Sequence, residues 1–171
     1  IARLDGQQLP ACPGADLVEK LFSDGIDPFE PVTIIGGSHD VIEAVRARYG
    51  LQAVQWHEPP MGLRKNPAAV TAAAQFVIAR PARLVFLCVG SPQQEMIAAE
   101  IIRLGGGKGV GLCCGASLDF LAGKVARAPR WMRQARLEWL HRLISEPGRM
   151  WKRYLIDGPK IFTIWWRTRQ R

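Results

Sequence analysis

The 171-residue sequence lacks most of the features that would assign a chain quickly. No apolar run approaches the ~20 residues that span a bilayer, and IFTIWW, residues 161–166, is far too short. No signal-peptide pattern is visible, although the chain begins at Ile1 rather than Met, so an upstream start is expected. The four cysteines, Cys12, Cys88, Cys113 and Cys114, form no C-x-x-C pair. They read as reduced, buried thiols of a cytosolic protein. There is no G-x-G-x-x-G fingerprint, no Walker sequence and no G-x-S-x-G elbow, which argues against a dinucleotide enzyme, a P-loop enzyme and a serine hydrolase. No D-x-D pair is present to hold a divalent ion against a nucleotide diphosphate, since Asp24 and Asp27 are one residue too far apart. His39, His57 and His141 show no ligand spacing, so no metal is expected.

Acidic residues are also scarce in one region. Residues 1–125 hold 11 Lys and Arg against 12 Asp and Glu, while residues 126–171 hold 12 against 3. Five of the six tryptophans, Trp131, Trp139, Trp151, Trp165 and Trp166, lie in that same basic segment. A neutral body with a basic, aromatic tail suggests a polyanionic partner. The tryptophans favour an anionic membrane surface, because indole prefers the interface, and no RNA-binding signature is present. No nucleic acid is expected.

What is present is a strand–helix rhythm. VTIIGG (32–37), LQAVQW (51–56), LVFLCVG (84–90) and GVGLCCG (109–115) read as strands, the last two as buried ones. Between them lie a helix opened by Ser38 or Asp40 and ended by Gly50, a helix with Pro67 at its first position, and a helix opening at Ser91-Pro92. ASLDFLAG begins a short helix, and DLVEKLF (16–22) reads as one near the start. Strands alternating with helices through short glycine-rich links predict a parallel α/β sheet. From Arg127 on the pattern becomes helical, with breaks at EPG (146–148) and at Gly158-Pro159. Two parts are therefore expected, a sheet domain at 1–125 and a helical appendage at 126–171.

An open parallel sheet binds ligands at the carboxyl ends of its strands. Three loops there place glycine and a small hydroxyl residue before a helix: GGSHD (36–40), GSPQQE (90–95) and GASLD (115–119). Backbone N–H groups and the helix dipole at such positions favour phosphate, though simple turn chemistry explains any one loop equally. Gln93 and Gln94 can donate and accept at once, which suits a sugar hydroxyl or a diphosphate, or simply a solvated helix start. The tail arginines suit a solvated face, an anionic lipid or a diphosphate.

VGSPQQE, then GASLDFLAGKVARAPRWM, then LEWLHRLISEPGRMWKRYL, resemble the WecG/TagA/CpsF family of bacterial glycosyltransferases. The resemblance extends upstream through PGADL (13–17), the glycines at 36 and 37 and the PPMG loop at 59–62. It implies a Rossmann-like fold and transfer of a sugar, commonly from a UDP-sugar, to a polyprenyl-diphosphate-linked sugar at the cytoplasmic membrane face. It further implies inversion at the anomeric carbon without a metal, in the synthesis of cell-surface polysaccharides such as exopolysaccharide, and an appendage that attaches to the membrane and completes the active site. Gln94 falls at the family's motif glutamine, orienting the donor. Gly36, Gly37, Gly90, Ser91, Pro92, Gly115 and Asp119 fall at strand-end loops around the nucleotide sugar. Arg127, Arg142, Arg149 and Arg153 fall on the basic positions of the appendage, for diphosphate or membrane. The family's proposed catalytic aspartate, in an A-D-G segment, lies upstream of Ile1, and Asp5 does not match it. Arg83 stands where the family commonly has aspartate.

The expectation is an inverting, metal-independent, peripheral-membrane glycosyltransferase. The alternative is a non-catalytic membrane or polyanion adaptor that keeps the fold. A nucleotide-dependent oxidoreductase has little support without the glycine fingerprint. Self-association is expected if apolar surface lies exposed beneath the tail.

Overall fold

The structure is a computed structural model that describes residues 12–129, 131, 132, 135, 137–145 and 147–169. Residues 12–126 form one compact unit, and the described residues from Arg127 on belong to a second.

The first unit begins with α1 (Gly14–Lys20), which widens into a π-helical turn at Leu21–Gly25. Then follow β1 (Val32–Ile35), α2 (His39–Tyr49), β2 (Val54–His57), a 3-10 turn at Leu63–Lys65, α3 (Pro67–Ala79), β3 (Leu84–Leu87), α4 (Gln93–Arg103), β4 (Val110–Cys113) and α5 (Ser117–Leu121). The four strands form one parallel sheet in the order β2-β1-β3-β4. This is the parallel α/β sheet anticipated from the strand–helix rhythm, in the Rossmann-like form that the family resemblance implies.

β1 and β3 are interior strands and are buried at every position. Their side chains alternate between two cores, because successive residues on a strand face opposite sides. Val32, Ile34, Leu84 and Phe86 join Val18, Val41, Val45 and Leu118 beneath α1, α2 and α5. Ile35, Val85 and Leu87 join Val70, Ala73, Val77 and Ile97 beneath α3 and α4. Each fully buried aliphatic or aromatic side chain contributes about 1.5–3 kcal/mol. This double burial is why LVFL carries no polar residue.

Local signals set several boundaries. Asn66 caps α3 by accepting from the Ala69 N–H at 3.1 Å, with Pro67 at the first helical position. Gly50 ends α2 in the left-handed region, φ 68°. Ser38 stands at the N-cap of α2, but its hydroxyl makes no capping hydrogen bond.

Two expectations need correction. GVGLCCG is not a buried strand: among the described residues β4 pairs on one side only, and Val110 is 57% exposed. Cys113, on this edge strand, and Cys12, ahead of α1, are exposed rather than buried. An apolar run cannot distinguish an edge strand from a central one, because the partner strand is nowhere in the local pattern. Arg83 is occupied structurally: its guanidinium binds Glu30 Oε1 at 2.5 Å and Oε2 at 3.1 Å, and the Gly25 carbonyl at 2.5 Å. Glu30 raises the Arg83 pKa further by that hydrogen bonding.

In the second unit, α6 (Glu138–Ser145), α7 (Pro147–Trp151), a π-helical segment at Lys152–Asp157 and α8 (Lys160–Arg169) follow in order. Large apolar side chains remain exposed along it, including Ile144, Trp151, Leu155, Phe162, Ile164 and Trp166. Among the described residues, no helix is long and apolar enough to cross a membrane.

Candidate active site

Chain order along the sheet reverses between β1 and β3, since β1 leads outward to β2 and β3 outward to β4. That reversal opens a crevice at the carboxyl ends of β1 and β3, where parallel sheets take their ligands. Gly36, Gly37, Gly90, Ser91, Pro92, Gln94, Gly115 and Asp119 all follow strand ends on this one edge. The N-termini of α2 and α4, each 11 residues long, open onto it. Their aligned peptide dipoles make this edge favourable to anions.

The loops are knitted to one another. Gly36 has φ +96°, and a Cβ there would meet the Cys88 carbonyl oxygen and Val89 Cγ1 at 2.8 Å each. The loop after β1 therefore lies directly against the loop after β3, and only glycine permits it. The Gly36 carbonyl also accepts from Trp56 Nε1 at 3.0 Å, which ties in the end of β2. Gly37, φ +77°, leaves room for Leu118 of α5, 3.5 Å from where its Cβ would stand.

Gln94 joins the remaining pair of loops. Its Oε1 accepts from the Gly115 N–H at 2.8 Å, and its Nε2 donates to Glu95 Oε1 at 2.9 Å. It is 7% exposed, so a solvated helix start does not describe it. The sequence pattern placed Gln94 at a helix terminus. What it could not display is the loop after β4, which arrives 21 residues later and covers the side chain. Asp119 sits in the first turn of α5, half-buried, and its carbonyl accepts from the Lys124 and Val125 amides. Its negative charge is among the causes that hold the Cys88 thiol protonated, after burial and the Cys114 contact.

Lys124 escaped the sequence reading. Its Nζ stands 3.3 Å from both Ser38 Oγ and Asp40 Oδ2, so an ammonium lies at the mouth of the GGSHD loop. The signal available was a lysine just after Gly123, but nothing local linked it to a helix 84 residues earlier. His39 was likewise read only as a non-ligand, yet its ring meets Trp56 edge-on at 5.8 Å. At the end of β2, burial and the nearby Arg80 charge lower the His57 pKa. Among the described residues, no three His, Cys, Asp or Glu side chains stand together as a metal site would require.

Arg127 and Arg142 are half-buried within the second unit. The backbones of Arg149 and Arg153 fall in α7 and in the π-helical segment, and their side chains lie outside the described residues.

A parallel sheet with glycine loops and helix N-termini converging on its crossover edge defines a Rossmann-like domain built to hold a nucleotide-type ligand. The chain matches the model of the glycosyl transferase WecG/TagA/CpsF family over residues 1–171 and belongs to that family. It is therefore a glycosyltransferase of cell-surface polysaccharide synthesis, with a nucleotide-sugar donor and an acceptor.

Proposed function

We propose that this protein moves a sugar from a UDP-sugar to a polyprenyl-diphosphate-linked sugar, with inversion and without a metal. The observation that carries the reading is the convergence of the Gly36–Gly37, Gly90–Pro92 and Gly115 loops on one edge, the first pressed against the second and the last two joined by Gln94. A diphosphate bound there faces the N-termini of α2 and α4 and the ammonium of Lys124. Preorganised donors of this kind stabilise the charge that grows on a departing nucleotide diphosphate, with no divalent ion needed. Gln94 acts on the donor by fixing the Gly115 loop, since both ends of its amide are engaged within the protein.

Inversion requires one displacement, in which the acceptor hydroxyl attacks the anomeric carbon as the nucleotide diphosphate leaves. The hydroxyl proton passes to a carboxylate base, which the family resemblance puts outside these 171 residues. Arg127, Arg142, Arg149 and Arg153 are the cations of the appendage that would meet the diphosphate of the lipid carrier or an anionic membrane surface. The exposed Trp151, Phe162 and Trp166 would rest in an anionic membrane surface on its cytoplasmic face, so that enzyme and lipid-linked acceptor share one plane.

The test is turnover. Protein extended upstream of Ile1 is given UDP-sugars and a polyprenyl-diphosphate-sugar analogue in the presence of EDTA. UDP release with an inverted product supports the proposal. No release with any donor ends it in favour of an adaptor role, and strict Mg²⁺ dependence overturns the metal-free chemistry.

A further inference from the structure

β3 and β4 run in parallel register with Leu87 opposite Cys113, so the next pair outward at the carboxyl edge is Cys88 opposite Cys114. Their Sγ atoms lie 2.8 Å apart. Neighbouring strands are spaced about 4.8 Å, within the Cα separation that a disulfide bridges. Both thiols are free in the structure. Both are half-buried. Burial, chiefly, and the Cys114 contact push the Cys88 thiol well above its ordinary pKa. Cys114 is followed directly by Gly115.

The surroundings give the pair its significance. The Cys88 carbonyl is the group against which Gly36 is pressed, and the amide following Cys114 is the one held by Gln94. The two sulfurs thus lie at the roots of the loops that Gln94 joins from above. We propose that Cys88 and Cys114 form an oxidisable pair, whose disulfide clamps the connections after β3 and β4 at the crevice edge. The linkage rests on strand register and does not depend on the donor or acceptor proposed above.

The oxidant is a peroxide. Cys114, as thiolate, attacks a peroxide oxygen; the O–O bond breaks, leaving a sulfenic acid on Cys114 and releasing water once the leaving hydroxide is protonated. The Cys88 sulfur then attacks Cys114 Sγ, the S–O bond breaks and a second water departs with the Cys88 proton. Two thiols lose two electrons in all, and one peroxide is reduced to two waters. Cys113 is the neighbouring competitor. Successive strand residues point to opposite faces, so Cys113 does not share the Cys88 side.

The experiment treats the 171-residue chain with hydrogen peroxide and maps disulfides in non-reduced digests by mass spectrometry. The expected result is one linkage, Cys88–Cys114, accompanied by loss of two hydrogens and reversed by dithiothreitol. It persists in Cys113→Ser and is absent in Cys88→Ala and in Cys114→Ala. Because the bridge closes a loop of 26 residues, the melting temperature of the oxidised chain should rise by on the order of 5–10 °C. A Cys113–Cys114 linkage, intermolecular disulfides through Cys113 or Cys12, or Cys114 driven to sulfinic acid without bridging would each overturn the proposal.

Discussion

The side-chain oxygen of Gln94 accepts the Gly115 amide proton across 2.8 Å, so the first turn of α4 holds the loop that follows β4. Gln94→Ala leaves that amide without its partner and empties a buried position. The expected cost is about 1–3 kcal/mol in urea denaturation, together with a fall in turnover. Gln94→Glu keeps the acceptor but sets a second carboxylate against Glu95 in a buried position, so it should not recover the stability. Wild-type stability in Gln94→Ala would show that the bridge contributes nothing.

Gly36→Ala should be far more damaging than Gly50→Ala. Both glycines have positive φ, but a Cβ at Gly36 meets the Cys88 carbonyl at 2.8 Å, while one at Gly50 meets nothing within 4 Å. The Gly50 change should cost about 1 kcal/mol from backbone strain alone. The Gly36 change adds displacement of the loop after β3, and should exceed 2 kcal/mol or so while weakening UDP binding. Equal losses by calorimetry would mean that the two loops are not in contact.

Glu100 links α4 to α3. It accepts from Arg103 at 2.6 and 2.7 Å and from Thr71 at 2.7 Å, and these hydrogen bonds, Arg103 first, lower its pKa from 4.5 to about 2. A carboxyl that binds protons less readily when folded stabilises the fold above its unfolded pKa. That stabilisation is lost as pH falls from about 4.5 towards 2. Carbon-detected NMR should place the Glu100 titration below pH 3 or so. Glu100→Gln should flatten the acid limb of the stability curve, and an ordinary carboxylate titration at this residue would contradict the geometry.

The apolar side chains of α8 set a test of the appendage. Phe162 and Trp166 are one helical turn apart and are 55% and 63% exposed, beside the cations Lys160 and Arg167. Replacing both with serine should weaken binding to anionic liposomes by on the order of tenfold or more, without lowering the melting temperature. Removing residues 126–171 should abolish flotation with liposomes and leave the sheet folded. Flotation of the truncated chain would refute the lipid role.

Much of the sheet was legible because its causes are local. The β-branched run at Val32–Ile35, the unbroken apolar LVFL at Leu84–Leu87, the Asn66-Pro67 start and the Gly50 stop each act within a few residues. The three glycine loops were legible for the same reason, since positive φ leaves its mark as glycine. β4 was misjudged because edge and centre differ only in whether a second strand lies alongside.

By itself, then, the sequence determined the alternation of strand and helix, the glycine turns at the carboxyl edge and the separation of a neutral body from a basic, indole-rich tail. These follow from periodicity, backbone freedom and charge, which are written residue by residue. Tertiary structure alone decided that Gln94 is buried against Gly115, that Lys124 reaches Ser38 and Asp40, and that Cys88 faces Cys114. Each of those joins groups more than 20 residues apart. Their proximity comes from strand order and register, and no window of sequence contains either.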